Sequence, residues 1–299
     1  MLLSMGTTPT GTSWYIYLSE TAHVINNRVD HLEISLQEAG GTLDNATGLA
    51  NGSIDIGFIE ASVADESYRG IGRFEGKRNE DLRIFTYVAK SSMHWAVTRQ
   101  SGITSIEELN GKEFNPSSIG GGGEYITEKV FNVIGVKPNY QRMTLDEAAQ
   151  KVRNGELIGF SYNGVPPIPI FAEVHSVQPL RILSLKDDQV AAVVEELPFL
   201  SSSIIPEDSY PGSPEAHTIG IYTGLGMNKD LDTNIVYEMA KAYYENLDKI
   251  GEVFPLAADS TPEDTIKNTT VPLHAGVIKY FKEIGMDVPE ELIPHEYME

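Results

Sequence analysis

Two glycine-rich stretches carry the strongest chemical signal in the sequence. Gly6-Thr7-Thr8-Pro9-Thr10-Gly11-Thr12-Ser13 nearly matches the phosphate loop G-x-x-x-x-G-K-[ST]. Thr12 stands where a lysine would meet the charge of a triphosphate, and Pro9 removes one backbone donor. Nucleotide hydrolysis is therefore disfavoured. The loop still leads from an apolar start, Leu2 to Met5, into a helical pattern. Free N–H groups and the dipole at such a helix start suit a carboxylate or another anion. Thr8, Thr10, Thr12 and Ser13 add hydroxyl donors. The second stretch, Gly120-Gly121-Gly122-Gly123 before Glu124, has the same strand–loop–helix setting. Four glycines either let the backbone approach a ligand closely or supply positive φ in a flexible turn. Tyr125 occupies the place of the last glycine in G-x-G-x-x-G, so a dinucleotide fold is poorly supported.

Other chemistry is scarce. Neither H-E-x-x-H nor G-x-S-x-G occurs. The seven histidines, at 23, 31, 94, 175, 217, 274 and 295, show no metal-ligand spacing, so no metal or cofactor is expected. The chain has no cysteine, which excludes disulfides and thiolate nucleophiles. Glu60 follows an apolar strand pattern and is expected at the carboxyl edge of a sheet, where open α/β folds bind ligands. The alternative for it is a solvated loop carboxylate. Asn163 follows a later strand in the same way. Asn45-Ala-Thr, Asn51-Gly-Ser and Asn268-Thr-Thr match the glycosylation triplet by pattern only.

The elements that must position these residues alternate. The 299 residues suffice for two domains. Lys and Arg total 22 against 43 Asp and Glu, a net charge of −21, which disfavours nucleic acid as a partner. Leu18, Ala22, Ile25 and Val29 lie on one helical face. A helix over 43–50 ends at Asn51-Gly52, and a strand is predicted over 54–59. Strands are predicted at 82–88 and 93–98. Capping boxes at Thr104–Glu107 and Thr144–Glu147 open two more helices. Asn154-Gly155 precedes a strand over 157–162 and echoes Asn51-Gly52 before Ile54-Asp55-Ile56-Gly57-Phe58. The echo fits either shared turn chemistry or two lobes of similar architecture. The proline-rich middle, 165–212, reads as surface connections and bends. A strand over 218–227 follows. Then comes a long helix with Ile235, Met239, Ala242 and Leu247 on its inner face and Gly251 after it. Thr261-Pro262-Glu263-Asp264 opens another helix. The last helix carries Val277, Tyr280, Phe281 and Ile284, and Gly285 ends it. This alternation implies α/β architecture with open, mainly parallel sheets flanked by helices. No run of about 18 apolar residues exists to span a membrane. The first six residues lack the features of a signal peptide and read as a buried strand, so a leader is expected to have been removed upstream.

The sequence resembles the TAXI solute-binding proteins, the extracytoplasmic receptors of TRAP transporters. The opening Gly6-to-Tyr15 stretch is similar to that family's G-T-G-G-x-G-G-T-Y-Y. The resemblance continues through Asn51-Gly52-Ser53-Ile54-Asp55-Ile56, Ser101 to Lys112, and Gly120 to Glu124 against G-S-G-T-E. Near the end, Ile205-Pro206, Tyr210-Pro211-Gly212, Tyr237-Glu238, Glu245-Asn246-Leu247 and Pro272-Leu273-His274-Ala275-Gly276 are also similar. The likeness covers essentially the whole chain. It implies a two-lobed periplasmic-binding-protein fold of type II, with residues 1–96 and 215–299 in one lobe and 97–214 in the other. It also implies a monomer that binds a small carboxylate between its lobes and docks on membrane transporter subunits. Family ligands include glutamate and dicarboxylates. The matching positions are Thr8, Thr10, Gly11, Thr12, Ser13, Glu60, Gly120, Gly121, Gly122 and Gly123, with Asn163 beside them. Thr8, Pro9 and Thr12 replace family glycines, Gly121 and Gly123 replace a serine and a threonine, and Glu60 stands where glutamine is common. A carboxylate at 60 would repel an anion or pair with an amino group, which favours an amino acid over a simple dicarboxylate.

Two other classes compete. An enzyme acting on a small anionic substrate could use the same fold, with Glu60, His94 or Glu124 as its base. A sensory input module would need a signalling domain that this sequence does not contain.

Overall fold

A computed structural model describes residues 1–8, 10, 12–119 and 122–297. The chain divides into two compact units, Met1–Ala89 with Tyr222–Glu299, and Lys90–Ile221. The first unit opens with β1 (Leu2–Gly6), α1 (Ser13–Arg28), β2 (Glu33–Gln37), α2 (Thr42–Asn51), β3 (Ile56–Glu60) and α3 (Ala61–Arg69). Leu18, Ala22, Ile25 and Val29 are all buried, as the helical spacing predicts. Gly52 ends α2 at φ 72°, a conformation glycine adopts without a Cβ clash. Each helix carries the chain back over the sheet, so β1 pairs in parallel with both β2 and β3. The helix α3 escaped the sequence pattern. Its buried residues include Asp65 and Glu66 alongside Ala61, Val63 and Ala64. Arg69 pairs with Asp65 at 2.9 Å and Arg73 with Glu66 at 2.7 Å, which lets those carboxylates sit inside.

The next strand, β4 (Leu82–Thr98), is one element of 17 residues where two strands were predicted. The polar stretch between them, Lys90-Ser91-Ser92, stays extended because its side chains find partners. Lys90 donates to the Ser202 carbonyl at 2.8 Å, and the hydroxyls of Ser92 and Ser203 lie 2.8 Å apart. In the first unit the strand order is β2-β1-β3, followed by the late strand β10 (Ala216–Asn228) and then β4.

The second unit contains β5 (Glu113–Phe114), α4 (Gly122–Val133), β6 (Asn139–Tyr140), α5 (Leu145–Arg153), β7 (Gly159–Gly164), α6 (Pro169–Val177), β8 (Leu180–Ile182), α7 (Asp187–Glu196), β9 (Leu200–Ile205) and β10 (Ala216–Asn228). The Thr144–Glu147 capping box forms where predicted. The earlier box forms one residue late, between Ser105 and Glu108, and opens a 3-10 turn over Ile106–Leu109. The proline-rich middle is not a set of connections: it holds α6, β8, α7 and β9. Pro169 occupies the first turn of α6, where its missing N–H breaks no hydrogen bond. Phe160 and Phe171 stack at 4.4 Å in the core of this unit, joined by Val174, Leu180, Ile182 and Tyr210. β4 pairs antiparallel with β7 and β8, and β9 pairs antiparallel with β10. A parallel bridge between Asn115 and Phe160 ties the residue after β5 to β7.

The chain then returns to the first unit, where the far half of β10 pairs antiparallel with β3, Thr223 opposite Glu60. Among the described residues four α-helices complete it: α8 (Thr233–Tyr244), α9 (Leu247–Val253), α10 (Pro262–Asn268) and α11 (Ala275–Glu283). The single long helix predicted here is broken into α8 and α9, and Gly251 lies inside α9. The break falls at Glu245-Asn246 because the Asn246 amide caps α8, donating to the Ala242 carbonyl at 2.8 Å and accepting from Arg28 at 2.9 Å. Helices α8 and α11 pack closely. A Cβ on Gly276 would meet the Thr233 carbonyl at 2.5 Å, so only glycine fits.

Candidate functional site

In each unit a strand–loop–helix joint carries the glycine-rich stretch singled out in the sequence. In the first unit β1 ends at Gly6, and Thr7 turns the chain. Thr7 is fully buried; its N–H donates to the Gln37 carbonyl at 2.9 Å and its hydroxyl to the same atom at 3.1 Å. Thr12 caps α1, its hydroxyl accepting from the Tyr15 N–H at 3.1 Å. The Thr8 and Thr12 hydroxyls lie 2.6 Å apart, and Thr10 is exposed. Ser13 is the first residue of α1. Gly11 lies outside the described residues. A 16-residue helix thus starts beside a cluster of hydroxyls, the arrangement that favours an anion.

The residue that fixes this loop was missed from the sequence. Asn45 on α2 donates through Nδ2 to the Thr7 carbonyl at 2.9 Å and to the Phe58 carbonyl at 3.0 Å. Its Oδ1 presses on Gly6, where a Cβ would stand 2.3 Å away. Asn45 is 1% exposed, so its glycosylation triplet marks a structural amide. The Thr7 carbonyl in the turn and the Phe58 carbonyl in β3 both need a donor, and a buried Asn supplies two N–H groups.

Glu60 is the last residue of β3 and precedes α3. Its register places it at the same carboxyl edge of the sheet as the Thr7–Thr8 turn, since Gly6 pairs with Gly57. The Ser62 hydroxyl donates to Glu60 Oε1 at 2.7 Å, and Arg73 donates to Ser62 at 3.3 Å. Desolvation pushes the Glu60 carboxyl above its ordinary value, against the opposing pull of the Ser62 hydrogen bond and the Arg73 charge.

In the second unit the corresponding joint runs from β5 to α4. Gly122 is the first residue of α4 and is partly exposed; Gly120 and Gly121 lie outside the described residues. Gly123 is buried against two polar groups. A Cβ there would stand 2.5 Å from Ser117 Oγ and 3.0 Å from Asn163 Oδ1, so Asn163 does come to this helix start. One turn deeper, Trp95 Nε1 donates to the Thr127 hydroxyl at 3.2 Å, which lies 3.0 Å from Ser161 Oγ. Glu124 accepts from Arg142 Nε at 2.9 Å. His94 has no exposed surface. Its Nδ1–H donates to the Ser92 carbonyl at 2.9 Å, and burial lowers its pKa to about 4, so the ring stays neutral. Among the described residues no group of three or more His, Asp or Glu side chains forms a metal-binding cluster. No helix among them is long and apolar enough to cross a membrane.

The fold has solved counterparts. A TctC solute binding protein from Polaromonas superposes with a TM-score of 0.57 at 14% identity, over 86% of this chain and 87% of that one. The probable amino-acid ABC transporter extracellular-binding protein YtmK from Bacillus subtilis gives 0.51 at 14% identity, over 88% and 99%. The periplasmic aliphatic sulphonate binding protein SsuA from Escherichia coli gives 0.50 at 14% identity, over 95% and 87%. These likenesses show the α/β fold of the two-lobed periplasmic binding proteins, the class expected from the sequence. Residues 5–285 match the model of the NMT1-like family, and the chain belongs to that family.

Proposed function

We propose that this protein is an extracytoplasmic receptor that binds a small carboxylate and hands it, unchanged, to a membrane transporter. The observation that carries the reading is the pair of strand–loop–helix joints, one in each unit. Each sets a helix N-terminus beside neutral polar side chains: the hydroxyls of Thr8 and Thr12 in one, the Ser117 hydroxyl and the Asn163 amide in the other. Oriented N–H groups and hydroxyls hold an anion at contact distance, where the net charge of −21 is screened beyond ~8–10 Å. Each loop is on this reading a ligand-contact surface of its own unit, and the positions that resemble the TAXI pattern, Thr10, Gly11, Ser13, Gly120, Gly121 and Gly122, are the further candidates. The resemblance of Gly6 to Tyr15 and Gly120 to Glu124 to the TAXI pattern supports a TRAP-type transporter as partner, a periplasmic location and a monomer.

Glu60 refines the ligand class. A desolvated carboxylate at the edge of β3 repels a second anion and attracts an ammonium group, so the ligand is an amino acid such as glutamate. Titration calorimetry with L-glutamate, 2-oxoglutarate and succinate tests this at neutral pH. L-Glutamate binding tightest, recovered intact by NMR after incubation, is the expected result. Tighter 2-oxoglutarate binding removes the amino-acid assignment, conversion of the added acid makes the protein an enzyme, and no binding by any of the three removes the receptor reading.

A further inference from the structure

Ser117 carries two costs at one residue. Its φ is 119°, in the region that favours glycine and strains any residue with a Cβ. Its hydroxyl oxygen is buried, with the residue 1% exposed, and has no hydrogen-bond partner. A buried hydroxyl without a partner is itself unfavourable. Glycine at this position would remove both penalties.

The surroundings hold the residue in this state. Asn115, fully buried, accepts the Ser117 N–H at 3.1 Å through Oδ1 and anchors its own amide on the Gln141 carbonyl at 2.9 Å. On the other side the Ile119 N–H donates to the Met143 carbonyl at 3.1 Å. Pinned at both flanks, Ser117 aims its Oγ at the start of the 12-residue α4, 2.5 Å from where a Cβ on Gly123 would stand. Gly123 has no side chain of its own to fill the space beside the hydroxyl. Asn163 Oδ1, an acceptor, lies 3.0 Å from the same Cβ position.

We propose that Ser117 is the specificity-determining donor of the second unit, giving its O–H to a carboxylate oxygen seated at the N-terminus of α4. This deepens the receptor reading and rests on it. Residues that combine backbone strain with an unmet polar group cluster at ligand-binding positions, where binding supplies the missing partner.

Two variants test it, each titrated with L-glutamate, 2-oxoglutarate and succinate and melted without added acid. Ser117→Ala keeps the strained backbone and loses the hydroxyl; tenfold or greater weakening toward the acid that wild type binds is expected, with no gain in Tm. Ser117→Gly loses the hydroxyl and the strain together; the same weakening is expected with a Tm about 2 °C higher. A merely structural serine would instead leave affinity unchanged in Ser117→Gly, and that result overturns the assignment. A Ser117→Gly protein that melts below wild type overturns it too. Wild-type protein that binds none of the three acids defeats the receptor reading and this assignment with it, whereas binding by wild type with equal binding by both variants defeats only the assignment.

Discussion

The Thr8 and Thr12 hydroxyls share a hydrogen bond at 2.6 Å across the turn that opens α1. Thr12 also accepts from the Tyr15 N–H, so one hydroxyl closes the loop and caps the helix. Thr12→Ala loses both functions and is expected to lower unfolding free energy by about 1 kcal/mol, as for other N-cap truncations. Thr12→Ser keeps the oxygen and should restore most of the loss. Urea unfolding of the two variants checks the pair.

Asn45→Leu should be harsher. It leaves the buried carbonyls of Thr7 and Phe58 without their donor, at about 1–3 kcal/mol for each unsatisfied group. A midpoint of urea unfolding within error of wild type would contradict the role given to this amide.

Glu60→Gln bears on pH. Burial raises the native carboxyl pKa above its ordinary value, so the native state holds the proton more firmly than the unfolded chain. The stabilising contribution of the protonated form is full below the ordinary value and is lost as pH rises through the raised one. Glutamine keeps a neutral acceptor for Ser62 and avoids the loss. The variant is expected to match wild type near pH 4 and to melt higher at pH 7–8. Calorimetric scans across that range decide; a lower melting temperature at neutral pH would show that the Arg73 attraction outweighs desolvation.

Gly123→Val places a branched side chain on Ser117 Oγ and Asn163 Oδ1. Both obstacles are side-chain atoms rather than backbone, so the fold is expected to persist by circular dichroism with a lowered melting temperature, while carboxylate binding falls at least tenfold. Retained binding would move the site away from this helix start.

Much of the first unit was legible because its signals are local. Gly52 and Gly285 stop helices through positive φ, and the buried spacing of Leu18, Ala22 and Ile25 marks α1 directly. The elements that escaped depend on distant partners. The acids of α3 sit inside because Arg69, Arg73 and the Thr270 hydroxyl meet them there, and Lys90-Ser91-Ser92 remains strand because Ser202 and Ser203 lie alongside. Pro169 misled in the opposite sense, since a proline that interrupts a strand also starts a helix. At the site, glycine and threonine spacing pointed to the loops. Asn45 and Ser117 went unnoticed because an amide that bridges two carbonyls and a hydroxyl that bridges none leave no periodic trace.

The relay from Trp95 through Thr127 to Ser161 bolts α4 to the two strands beneath it with buried polar links. The helix cannot tilt or slide without breaking two of them where water has no access. Amide protons in the middle of α4 should therefore exchange with deuterium as slowly as those of β4 and β7. These links make α4 a rigid platform within its unit, the fixed anvil beside Ser117.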